Sequence, residues 1–187
     1  METKLLDEKR SDYRTHVFAG NICLLTQQKP RRDWSPAQAI SHIGCLELMD
    51  RGATCIPVWL LDKEGLSTAD VTRRANLTPT AQRYLDHLDL SAEDLFHHVL
   101  AVPHDPAYRE INAGALRMEW PRIPLPGYPN GGDEGAAETL RRSAAHGREI
   151  AALLDPETPV PGVSQAPLRP EIARRIAAIL MITTPHS

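Results

Sequence analysis

"LFHHVLAVPHDPAYREINAGALRMEWPRIPLP" (residues 95–126) is the stretch whose reading decides the fold. Leu95, Phe96, Val99 and Leu100 recur with helical spacing. Ser91 and Asp94, just ahead of them, approximate a capping box that starts that helix. Asp105 followed by Pro106 is a cap residue before a proline at the first helical position, opening a second helix over "PAYREINAGAL". Pro121, Pro124 and Pro126 then forbid both helix interior and central strand, so "WPRIPLP" reads as a stiff, extended connector. Working outward, Thr78-Pro79 repeats the cap-then-proline signal and opens "PTAQRYLDHL". A further helix is expected from Asp133 to Leu154, with Leu140, Ala144, Ala151 and Leu154 along one side. Twelve of the 16 prolines lie beyond residue 100, so the C-terminal half reads as helices joined by extended braces.

The character changes upstream of residue 63. "NICLLTQ" (21–27), "CLELM" (45–49) and "CIPVWLL" (55–61) read as three short strands, punctuated by Gly20, Gly44 and Gly52. The polar, proline-broken segment "QQKPRRDWSPAQAISHIG" between the first two is expected to project as a loop. "LDKEGLSTAD" reads as a connector. The expected class is α+β: a β-rich unit over 1–63, a connector over 64–77, a helical segment over 78–168 and a tail over 169–187.

Composition narrows the function classes. With 42% hydrophobic and 24% charged residues, 187 residues are enough to bury a core, which excludes a disordered chain. The apolar runs are too short to span a bilayer. The charged start "METKLLDEKRSDYR" lacks a signal-peptide core, and Cys23, Cys45 and Cys55 form no close pair. Together these lead us to expect a cytoplasmic protein with reduced, buried thiols. A formal net charge of −3 excludes a polycation, yet Arg14, Lys29, Arg31 and Arg32 stand between Tyr13 and Arg32 with no acid among them. Such a local patch can meet a phosphate backbone or can simply be a solvated loop.

Self-sufficient chemistry is not visible. His97 and His98 are adjacent, so on a helix they point about 100° apart and cannot share one ion. His104 follows beyond Pro103, and no cysteines accompany the three, so a structural or surface role is expected over metal binding. "HDPAY" (104–108) approaches the Asp/Asn-Pro-Pro-Tyr/Phe loop with which adenine methyltransferases grip a flipped base. Ala107 replaces the second proline and no glycine-rich cofactor turn precedes it, so Asp105 reads as a cap and Tyr108 as packing. Nucleophile-elbow, Walker, dinucleotide and zincin motifs are all lacking. Asp133 and Glu134 make "NGGDEGAAE" a turn into a helix rather than a phosphate cradle.

The opening stretch nevertheless resembles a passage near the C-terminus of Type ISP-like restriction–modification proteins, a group of adenine-specific DNA methyltransferases. The matching residues are His104, Pro106, Tyr108, Arg109, Glu110, Leu116, Pro121, Arg122, Ile123 and Pro124. "NICLLTQQKPRRDW" and "CLELMDRGATCIPVWLLD", with Pro57 to Leu60, resemble the strand–loop–strand opening of the same region. "GREIAALLDPETPVPGV" (147–163) resembles its last phrase, so the likeness spans residues 10–168. It implies a target-recognition region of a restriction–modification or phage-defence system. The catalytic domain that binds S-adenosylmethionine lies upstream of that region in the family, and this chain carries no cofactor site of its own. The tail from Pro170 is unlike the family. A truncated product, an isolated domain and a stand-alone subunit are all consistent with that.

The residues suit such a role. Glutamine pairs bidentately with adenine and arginine with guanine, while lysines and other arginines hold phosphates. Gln27, Gln28, Lys29, Arg31 and Arg32 cluster at a strand end, and Arg73 and Arg74 offer a second contact with double-stranded DNA. Trp34 either stacks over the loop or pins it to the core. Tyr108, Arg109 and Trp120 are assigned to structure, as an aromatic-and-proline brace. The alternative is a protein-interaction subunit that docks on a separate methyltransferase chain. A small metalloenzyme using the three histidines is a more remote reading.

Overall fold

Cys23, Leu24, Leu25 and Thr26 are all buried, so this strand must have cover on both of its faces. In the computed structural model, which describes residues 16–28, 30, 33–41, 49, 53–63, 71–128 and 134–155, it is β1 (Cys23–Thr26), the centre of a three-stranded sheet. β2 (Gln38–Ile40) and β3 (Thr54–Pro57) flank it antiparallel, with Leu24 opposite Ala39 on one side and Ile56 on the other. Side chains alternate across a strand. Leu24 accordingly joins Ala37, Ala39, Val58, Phe96 and Leu100 in one cluster, while Cys23 and Leu25 join Met49, Ala53 and Cys55 in another. Burial, with Cys55 adjacent, pushes the Cys23 thiol up to about 12, so it stays protonated. The described residues, His16 to Asp155, belong to one compact unit.

The run 55–61, expected as one strand, is two. β3 ends at Pro57, and β4 (Trp59–Lys63) begins a separate antiparallel hairpin with β5 (Val71–Ala75). Val58 is the switch: its N–H donates to the Ile22 carbonyl at 2.9 Å and its carbonyl accepts from the Asn76 N–H at 2.9 Å. Two other strands were not expected. β2 lies inside the segment read as a loop, and β5 lies inside the segment read as a connector. The expected strand over 45–49 falls, apart from Met49, outside the described residues.

Two buried asparagines hold this switch. The Asn21 side chain donates to the carbonyls of His16 (2.6 Å) and Trp59 (2.9 Å) and accepts from the Trp59 N–H (3.1 Å). Asn76, fully buried, donates to the Pro57 carbonyl at 2.9 Å. Replacing Asn21 by Ala strands three backbone groups in the interior, and an expected loss of about 2 kcal/mol follows. Urea denaturation checks it; an unchanged midpoint would contradict the assignment of Asn21 as the tie between the sheets.

The helices begin where cap chemistry places them. Thr78 accepts from the Ala81 N–H at the start of α1 (Pro79–Leu88). Ser91 and Asp94 complete a reciprocal capping box on α2 (Ala92–Ala101). Asp105 accepts from the Ala107 N–H at the start of α3 (Pro106–Leu116), after a 3₁₀ turn over Val102–His104. α4 (Ala136–Leu154) packs against α2, burying Leu140, Ala144 and Gly147. Ala81, Tyr84, Leu85, Leu95 and Leu140 form the core among α1, α2 and α4.

The proline-rich segment after α3 is bound by its carbonyls. Pro121, Pro124 and Pro126 have no N–H, so this chain makes no ladder and its carbonyls need outside donors. Three alternate carbonyls find them on three different helices. The Tyr108 hydroxyl of α3 donates to Arg122 at 3.0 Å. His98 of α2 bonds Pro124 at 2.9 Å, and the Tyr84 hydroxyl of α1 donates to Pro126 at 2.8 Å. Burial pushes the Tyr84 hydroxyl up to about 12, so it remains a donor at any working pH.

Candidate nucleic-acid interface

β1 delivers the chain to the candidate loop. Gln27, the first residue beyond the strand, is 2% exposed, so its side chain faces the interior. Gln28 is exposed. Lys29, Arg31 and Arg32 lie outside the described residues. Description resumes fully at Asp33, whose carboxylate is entirely exposed and stands 3.7 Å from the Arg117 guanidinium at the end of α3.

That ion pair marks where the loop meets α3. Between them is an open cleft of about 340 Å³, whose walls include Asp33, Trp34, Pro106, Arg109, Glu110 and Arg117. The His104 side chain, at the approach to α3, bonds the Ala37 carbonyl at 2.9 Å and so fixes the helix start to the entry of β2. Trp34 Nε1 and Arg109 Nε are buried and have no hydrogen-bond partner among the described residues. Of the three residues assigned to a brace, Tyr108 makes a bond to the proline segment and Trp120 is half-buried, while Arg109 lines this cleft. Sequence reasoning did not find the cleft, because its two walls are far apart along the chain.

Arg73 and Arg74 sit elsewhere, on the β4–β5 hairpin, and point to opposite faces of it. The Arg73 guanidinium lies over the Trp59 ring, 3.8 Å from its centroid, and 3.6 Å from the Glu93 carboxylate. Trp59 Nε1 donates to the same carboxylate at 3.1 Å. Arg74 Nε donates to Asp62 at 2.6 Å. Both arginines are therefore already matched to acids. The Arg73–Glu93 pair is half exposed and worth about 0–1 kcal/mol, so an incoming phosphate can displace Glu93.

The three histidines weighed as ligands are all engaged inside the fold. His97 Nδ1 lies 2.7 Å from the Glu93 carbonyl, four residues back on α2. His98 bridges Ser143 of α4 and Pro124, and His104 holds Ala37. Among the described residues no three His, Cys, Asp or Glu side chains are grouped to hold a metal ion. No described helix is long and apolar enough to cross a membrane.

The family model for the Type ISP C-terminal specificity domain matches residues 1–160. The chain belongs to that family. Among solved structures, this specificity domain is similar to the ATP-dependent Type ISP restriction-modification enzyme LlaBIII bound to DNA. The TM-score is 0.54 and the identity 16%, over 72% of this chain and 8% of that one. At that identity the likeness is one of fold, and the specificity domain corresponds to a small part of a much longer enzyme. No curated protein matches the chain.

Proposed function

We propose that the chain reads the DNA target of a Type ISP restriction–modification system, within a phage-defence role. It grips and orients duplex DNA, and it does not itself transfer the methyl group. Methylation of adenine N6, with S-adenosylmethionine as donor, belongs in this reading to a catalytic domain or a separate methyltransferase chain. The match to the specificity-domain family over residues 1–160 carries the proposal. The exposed Gln28, followed in sequence by Lys29, Arg31 and Arg32, supports it physically. A glutamine offers a base-edge contact, and three cations beside it supply backbone contacts.

Titration of a labelled duplex at several salt concentrations tests it. Each phosphate contact contributes about 0.9 to the slope of log affinity against log salt. Lys29→Ala, Arg31→Ala and Arg32→Ala are each expected to reduce the slope by about that amount, alike on every DNA sequence. Gln28→Ala is expected to leave the slope alone and relax sequence preference instead. A wild-type chain that ignores DNA at low salt would contradict the proposal, as would methylation of adenine by the lone chain.

A further inference from the structure

We infer that the cleft between the Asp33–Trp34 loop and α3 receives a phosphate oxygen of the DNA backbone. The inference rests on the DNA-reading role and goes beyond it by naming a contact that charge patterning does not point to. The starting observation is that Trp34 Nε1 and Arg109 Nε, both buried, have no acceptor among the described residues. Each is a donor that can never accept. Two unmet donors on residues lining one cleft call for a ligand that presents acceptors, and buried donors without partners are rare enough to require an explanation.

The donors, rather than the charge balance of Asp33 and Glu110 against Arg109 and Arg117, favour a phosphate over a base edge. Among the described residues Arg109 forms no ion pair, although Glu110 is its neighbour on α3. Arg117 stands at the rim, held by Asp33 through a 3.7 Å contact that is exposed on both sides and easily exchanged. A base edge offers donors as well as acceptors, and a donor would meet two N–H groups; a phosphate offers acceptors only. Arginine Nε–H and indole N–H donors suit such a contact, which positions the duplex without reading sequence.

The test uses the full chain, labelled with ¹⁵N, and a short duplex of arbitrary sequence. Three tryptophans give three indole N–H resonances, and Trp34→Phe assigns one of them. On titration the Trp34 resonance is expected to move. Arg109→Ala is expected to weaken binding about tenfold and to lower the salt slope by about 0.9. Trp34→Phe keeps the aromatic packing and removes only the donor, so it stands in should Arg109→Ala fold poorly; its expected effect is a loss of several-fold. If the wild type binds with a steep salt slope while the Trp34 resonance stands still and both variants bind as tightly, the cleft is not a phosphate site and the DNA-reading role survives. If affinity falls with an unchanged slope, the cleft contacts a base and the phosphate assignment is overturned. If the wild type binds no duplex at any salt concentration, both readings fall.

Discussion

Gly147→Ala is expected to destabilise the protein by about 3 kcal/mol, because α2 leaves no room for even one methyl group on this face of α4. A Cβ built at Gly147 collides with the backbone of His97, meeting its carbonyl oxygen and carbon and lying 2.9 Å from its Cα. Backbone cannot rotate away as a side chain can, so the two helices must separate. Separation would open the contacts around Leu140 and Ala144, both fully buried, and pull Ser143 off His98. The sign is what makes the variant informative. In an exposed helix interior the same change stabilises by about 1 kcal/mol, since glycine is the poorer helix former. Gly114 in α3 supplies that control: it is exposed, and a Cβ there meets nothing within 4 Å. Thermal unfolding should therefore show Gly114→Ala melting slightly higher than wild type and Gly147→Ala roughly 10 °C lower. Equal melting temperatures for the two would refute the close approach of α2 and α4.

The contrast between these two glycines also marks what the sequence could reveal. Both sit in runs that read as helix, and nothing local separates them; only the partner across the interface does. Helix starts were legible because their chemistry is local. Thr78, Ser91 with Asp94, and Asp105 each satisfy N–H groups two or three residues away. The strands were legible only where burial was continuous, as in Cys23–Thr26. β2 is three residues long and pairs because Leu24 and Leu25 stand opposite it, while β5 carries Arg73 and Arg74 and reads as solvated chain. The break at Val58 depends on Ile22 and Asn76, which no pattern within residues 55–61 can announce.

The candidate interface divides along the same line. The basic run between Gln28 and Asp33 is a property of composition, visible without a fold. Gln27, next to it, looked equivalent, yet its side chain is 2% exposed where Gln28 is open to solvent, a difference that the sequence does not announce. Arg109 sits in the phrase that carries the family likeness and was read as bracing. Its Nε, without a partner among the described residues, becomes meaningful only when the loop of Trp34 is seen beside α3. A long-range juxtaposition of donors is a tertiary fact, with no period and no spacing to betray it.

Stability is expected to fall steeply as pH drops below about 6.5, the ordinary value for histidine, because α2 keeps two imidazoles neutral. Burial depresses His98, against the opposing influence of its bond to the Pro124 carbonyl. Burial likewise depresses His97, with Arg148 adding to the effect and the Glu93 carbonyl opposing it. His98 bonds the Pro124 carbonyl through Nε2 at 2.9 Å, so that nitrogen carries the proton, and Nδ1 accepts from the Ser143 hydroxyl at 2.8 Å. In the unfolded chain both rings take up protons near 6.5, whereas the folded chain resists until lower pH. The unfolded state thus binds more protons in the interval between, and each ring removes up to about 1.4 kcal/mol per pH unit there. The loss levels off once the folded rings are themselves protonated. Asp94, which Arg148 and Ser91 hold below the usual 3.8 against the opposing effect of burial, contributes in a separate, more acid window. His98→Leu should cost about 2 kcal/mol at neutral pH, since it removes two part-buried hydrogen bonds, to the Pro124 carbonyl and the Ser143 hydroxyl. It should also remove one of the two protons from the acid slope, which a series of urea denaturations from about pH 5 to 8 would measure. A wild-type midpoint that does not move across that range would refute the neutral pair. Because Pro124 lies between the carbonyls held by Tyr108 and Tyr84, loss of the His98 tie loosens the segment that braces α3. DNA affinity should then decline in the same pH window, ahead of global unfolding, if α3 forms one wall of the phosphate cleft.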